Sequence, residues 1–156
     1  MAGYGTDDGF TDWLEANGYS LPDAAPAPAV LRQRGSTYID GLYGPRFSGS
    51  PVEGAAQDRE WPRTDATDRY GNALNGVPQR VIDASYYAAY AEALSPGSLS
   101  TTYTPGTAKV LTEVKGIKWE VVGDASKPGS MIPVISAVEG LLAPFLVQPV
   151  PGIMVV

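Results

Sequence analysis

Apolar side chains recur at helical spacing in four stretches of this chain and alternate in one other. Phe10, Trp13 and Leu14 stand at i, i+3 and i+4, which predicts a helix over about 7–17. Thr6 or Asp7 can cap it, its acidic residues suit the positive helix end, and Gly18 can close it. After Pro22 and Pro26, a second helix is expected over about 27–43. There Leu31, Tyr38 and Leu42 share a face with Gly35, where a missing side chain lets another backbone come close. The third helix opens at Pro78 and stops at Pro96-Gly97, with Val81, Ile82, Ala84, Ala88, Ala89, Ala91 and Leu94 at helical spacing. Its alanines predict tight packing on several sides, as for the central helix of a small bundle. A last helix is expected over about 132–146, presenting Ile135, Val138, Leu142 and Phe145.

Between the third and last helices the period changes from 3.6 to 2. Val110, Thr112 and Val114 alternate with Lys109, Glu113 and Lys115, and Ile117, Trp119 and Val121 alternate with Lys118 and Glu120. With Lys115-Gly116 as a turn, this predicts a β-hairpin over about 109–122. A lone hairpin is marginal in water, so it needs the helices or a neighbouring subunit to cover it. Residues 44–77 carry Gly44-Pro45, Gly49, Pro51, Pro62 and Gly71-Asn72 and are expected to be mostly loop, folded back and anchored by Trp61. The expected architecture is mainly α: a helical domain over 1–146 with a hairpin insertion, and an extended apolar C-terminal arm over 147–156.

Composition narrows the chemistry. The 156 residues include no Cys and no His. Disulfides, thiol catalysis, imidazole acid–base chemistry and the usual zinc sites are therefore excluded. There is no Walker loop and no Gly-x-Ser-x-Gly elbow. Gly3-x-Gly5-x-x-x-Gly9 has the wrong spacing for a dinucleotide loop and no strand before it. Asp65, Asp68 and Gly71 hint at a calcium loop, but Thr67 and Arg69 fill ligand positions and Gly76 stands where a Glu is required. Asp8, Asp12 and Glu15 read as a solvated acidic face. No catalytic residue, metal or cofactor is expected.

Eleven basic residues against 17 acidic give a net charge of −6. Asp7, Asp8, Asp12, Glu15 and Asp23 all precede the first basic residue, Arg32, and the remainder is close to neutral. A nucleic-acid binder normally shows a basic face. Tyr86, Tyr87 and Tyr90, and Trp61 between Arg59 and Arg63, are candidate stacking platforms for single strands. Asp58, Glu60 and Asp65 interleave with those arginines, so the aromatics read better as core and subunit contacts. Met1-Ala2-Gly3-Tyr4 has neither a basic nor an apolar run, so no secretory signal is expected. The apolar run over 131–156 is interrupted by Pro133, Pro144, Pro149 and Pro151, which argues against a membrane span. Its end reads instead as an arm that adds apolar contacts and strand hydrogen bonds to a partner, through Val147, Pro149, Val150, Ile153, Met154 and Val155.

The order of motifs resembles a known family. An acidic first helix leads to Leu31-Arg32-Gln33-Arg34-Gly35-Ser36-Thr37-Tyr38-Ile39-Asp40, then Tyr43-Gly44-x-Arg46-Phe47-x-Gly49. Gln57, Trp61-Pro62-Arg63, Val77-Pro78 before an Ala-rich helix, and Pro96-Gly97-Ser98-Leu99 follow. Over about 6–146 this is similar to a tailed-phage family labelled DnaT-like single-stranded-DNA-binding proteins, whose members look like head–tail connector adaptors. The resemblance implies that Tyr38, Ile39, Tyr43 and Trp61 are scaffold residues. It also implies that the hairpin, with Ile117 and Trp119, and the arm contact neighbouring subunits and a portal. The net charge sets the DNA-binding label aside in favour of a structural virion protein. This would be a homo-oligomeric, dodecameric ring between the portal protein and the tail-proximal ring or stopper proteins. It would line the passage of double-stranded DNA without sequence-specific binding or membrane contact, and be made in the host cytoplasm. The alternative is a single-stranded-DNA-binding protein of phage replication.

Overall fold

A computed structural model describes residues 2–100 and 134–147. Four α-helices carry the architecture: α1 (Asp7–Ala16), α2 (Pro28–Tyr43), α3 (Gln79–Leu94) and α4 (Ser136–Leu142). The fold is mainly α with a small antiparallel strand pair, β1 (Ser50–Pro51) and β2 (Arg63–Thr64), in which Ser50 faces Thr64 and Pro51 faces Arg63. This pair falls in the segment expected to be loop. Two-residue strands joined across a long excursion leave no alternation for a sequence to display. The hairpin expected over 109–122 lies outside the described residues, as does the arm beyond Val147.

Local chemistry accounts for the helix ends. The Thr6 hydroxyl accepts the Gly9 N–H at 3.0 Å and caps α1, and Gly18 takes the left-handed conformation (φ +68°) that ends it. Pro28 occupies the first turn of α2, where its missing N–H costs nothing. The last helix is shorter than expected. Pro144 cannot continue the α-helical hydrogen bonding, and the chain tightens into a 3₁₀ turn over Ala143–Phe145.

Helix α3 is central, as its alanines imply. One side meets Tyr38, Ile39 and Tyr43 of α2 and Val138 and Leu142 of α4 through Val81, Ala84 and Ala88. Its other side packs Tyr86, Ala89 and Ala93 against Phe10 and Leu14 of α1 and Leu31 of α2. Gly35 brings α2 and α3 together: a Cβ there would lie 2.3 Å from the Ser85 carbonyl oxygen and 2.8 Å from the Ala89 nitrogen. Trp61 is 2% exposed and packs edge-on to Phe47, anchoring the 44–77 excursion in the core. Phe47 bridges to Leu146 in turn, and the Val147 N–H donates to the Arg46 carbonyl at 2.8 Å, so the end of the α4 segment is tied to the turn after α2.

Candidate functional site

Two of the residues that suggested a stacking platform prove to be scaffold. Arg63 is buried; its guanidinium donates to the carbonyls of Ser48, Glu60, Phe47 and Gly49 and pairs with the Glu60 carboxylate. Arg59 donates to the Ala2 and Gln33 carbonyls, the Thr37 hydroxyl and Asp40. Arg32 does the same for the N-terminal strap, donating to the carbonyls of Gly3, Tyr4 and Gly5 and pairing with Asp7 at 2.7 Å. An irregular backbone leaves carbonyls without ladder partners, and the forked guanidinium satisfies several at once. Tyr4 completes the knot: its hydroxyl donates to Asp40 and accepts from the Trp61 N–H. Burial raises the Asp40 carboxyl above its ordinary value, against the hydrogen bonds from Tyr4 and Arg59.

The tyrosines of α3 divide. Tyr86 is buried, and its hydroxyl both donates to the Thr6 carbonyl and accepts the Thr6 N–H. Tyr87 and Tyr90 are half-buried and join Trp13 and Tyr19 in a ladder. Tyr19 stacks on Tyr90 at 4.5 Å and 11°, its hydroxyl lies 2.8 Å from that of Tyr87, and Trp13 meets Tyr87 edge-on. That hydrogen bond raises the Tyr87 phenol above its ordinary value. The rings of the ladder cover one another, and the exposed Asp12 and Glu15 share α1 with Trp13.

A different aromatic stands free. The turn over 67–73 lifts Tyr70 out of the surface, 71% exposed, with the Arg69 guanidinium 4.9 Å above its ring and donating to its hydroxyl at 2.6 Å. Asp68 builds the turn. Its carboxylate accepts from the Tyr70 and Asn72 backbone N–H groups and the Asn72 amide, and these bonds, the Asn72 amide foremost, hold it below the ordinary carboxylate value. The pattern suggestive of a calcium loop is thus an Asx turn whose oxygens point to its own backbone. The Arg69 N–H donates to the Pro144 carbonyl at 2.7 Å, and the Ser48 hydroxyl clamps Thr67 from the other side. Beside the turn lies a pocket of about 240 Å³ bordered by Ser48, Arg69, Phe145 and Val147.

A larger groove, about 860 Å³, runs along α2 and the loop after α3, with Val30, Tyr38, Leu42 and Leu99 as its apolar lining and Arg34 and Glu92 among its polar residues. Glu92 is buried; it pairs with Arg34 at 3.1 Å and accepts the Gly97 and Leu99 N–H groups, closing the end of α3. Of the residues expected to contact partners, Val147 is described and is 55% exposed. Ile117, Trp119, Pro149, Val150, Ile153, Met154 and Val155 lie outside the described residues. No group of His, Cys, Asp or Glu among the described residues is arranged to hold a metal ion, and no described helix is long and apolar enough to cross a membrane.

Charge pairing is selective. Arg32, Arg34, Arg46, Arg59 and Arg63 each face a carboxylate within 3.1 Å. Arg69 and Arg80 carry no carboxylate partner among the described residues, and the chain's lysines, at 109, 115, 118 and 127, all fall outside them.

No curated protein and no solved structure matches the chain. A family model does match it, over residues 3–155, and bears the description "Putative DnaT-like ssDNA binding protein". This overturns the connector-adaptor role expected from the sequence and the virion vocabulary attached to it, because the matched description names single-stranded DNA and neither portal nor tail. The expectation failed where net charge was used to dismiss DNA: a sum over the whole surface does not describe the local patch that meets a ligand. The match covers nearly the whole chain, and the protein therefore belongs to the family so described.

Proposed function

We propose that this protein binds single-stranded DNA and does so as a binding module, without catalysis or a cofactor. The observation that carries the reading is the family match over residues 3–155. The lack of Cys and His supports a binding role over an enzymatic one. The available surface chemistry favours stacking over charge. Five arginines are already engaged with carboxylates, whereas an exposed aromatic ring, such as that of Tyr70, offers a sequence-tolerant face to unpaired bases. Duplex DNA presents no open base faces, so single strands are preferred.

Fluorescence anisotropy of a labelled oligo(dT) of about 30 nucleotides, titrated with the full chain, tests this. The expected result is uptake of the single strand at low salt, with a matched duplex competing poorly. Phosphate contacts by Arg69 and Arg80 alone would give a slope of log K against log salt of about −1.4, and contacts by the lysines would steepen it. No uptake at low salt, or equal affinity for the duplex, would refute the proposal.

A further inference from the structure

The surface that meets the DNA can be sought among the exposed aromatics. Of the described aromatic residues, Tyr70 alone is exposed; the others are buried or half-buried. Its ring is not held out by chance packing. Asp68, Asn72 and the Pro144 carbonyl fix the backbone on both sides of it, so the ring is presented from a pre-formed turn rather than a loose loop. Arg69 lies over the ring, which is otherwise 71% exposed. Among the described residues, one hydrogen bond of the Arg69 side chain is spent on the Tyr70 hydroxyl, leaving further guanidinium donors for an anion. The nearest carboxylate in sequence, Asp68, is turned to the backbone of the turn and to Asn72.

We propose that the Arg69–Tyr70 turn is a single-nucleotide contact for single-stranded DNA, with an unpaired base stacking on the exposed ring of Tyr70 and Arg69 holding an adjacent phosphate. This rests on the single-stranded-DNA reading above and adds the place of contact. The arrangement provides both elements that non-specific single-strand binding needs, a π face and a cation, within one dipeptide. Its polar groups recognise phosphate and its ring accepts any base, so the contact is indifferent to sequence. The half-buried ladder of Trp13, Tyr19, Tyr87 and Tyr90 is the competing surface, but its rings already pack on one another, stacked or edge-on, and the exposed Asp12 and Glu15 share α1 with Trp13.

The test uses the full chain and the labelled oligo(dT). Tyr70→Ala is expected to weaken binding roughly 5- to 150-fold, the range for loss of one stacked base, and Tyr70→Phe to keep the parent affinity. Arg69→Gln is expected to flatten the salt slope by about 0.7, one phosphate's share on a single strand. Because both side chains are exposed, thermal melting of the variants should match the parent and separate lost contact from lost fold. If the parent binds and both Tyr70→Ala and Arg69→Gln bind as it does, the contact lies elsewhere and this proposal falls while the function stands. If the parent takes up no oligonucleotide, the function itself has failed, a different and separately visible result.

Discussion

At the scale of single residues, Asp68 illustrates how one carboxylate can build a presenting surface. It accepts three N–H groups within the turn that displays Tyr70, and these bonds lower its pKa. A carboxyl with a depressed folded-state pKa contributes stability that is present above its unfolded pKa and lost as pH falls through the folded value. The turn is therefore expected to loosen only below about pH 4, the ordinary aspartate range. Amide exchange at Tyr70 and Asn72, corrected for intrinsic rates, should accelerate there and stay flat from about pH 5 to 7, where the carboxylate stays ionised. Asp68→Ala should show the faster exchange already at neutral pH. Unchanged protection in acid would mean that the backbone bonds to Pro144 and Asn72 hold the turn unaided.

At the scale of elements, the α2–α3 contact and the arginine-bound excursion are the two places where a small change should cost most. A Cβ at Gly35 would meet backbone of α3, which cannot rotate away as a side chain can. Gly35→Ala should destabilise by about 2–3 kcal/mol through overpacking, read as a lower urea midpoint with an unchanged m-value. In the excursion, Arg63→Lys should cost about 2 kcal/mol, because a single ammonium cannot span carbonyls that the fork reaches together. Equal stability of that variant would show that the Ser48, Phe47 and Gly49 carbonyls find other donors. The Gly35 approach was legible because a lone Gly on an apolar helical face weakens the helix and offers in return only room for a neighbouring backbone. The arginine knot was not: Trp61 read as an anchor, but Arg59 and Arg63 read only as flanking cations interleaved with acids. A usable signal was present in Gly- and Pro-rich chain whose cations are all arginine and alternate with acids. That composition suits internal carbonyl satisfaction better than a DNA groove.

At the scale of the whole molecule, the −6 charge and the family's DNA-binding description are reconciled by where the charges go. Pairing buries Arg32, Arg59 and Arg63 away from phosphates and engages the more exposed Arg34 and Arg46, with one carboxylate each. Outside those pairs stand 12 carboxylates, three of them on α1, and six cations, so binding should be governed by stacking and fall gently with salt. Removing negative charge near the turn, as in Asp65→Asn, should tighten oligo(dT) binding modestly at low salt and not at high salt. An effect that persists at high salt would point to a change in structure instead.

The sequence by itself determined where the helices lie, most of their faces and the centrality of α3, although Leu94, expected on the α3 face, is exposed and the last helix is shorter than its pattern implied. Apolar spacing, caps and Pro or Gly stops are local signals, and burial of the marked faces admits few arrangements of so short a chain. It also determined, through the absence of Cys and His, which chemistries are closed. Tertiary structure alone decided the fate of the polar and aromatic residues outside that periodicity. Trp61 could be expected as the anchor of its loop, but whether an aromatic is core, like Tyr86 against α1, or free, like Tyr70, depends on what folds against it. Whether an arginine is spent on carbonyls or left for a ligand depends on contacts between residues far apart in sequence, as when Arg59 reaches Ala2 and Arg32 reaches Gly3. Those pairings have no period, so no pattern along the chain could announce them.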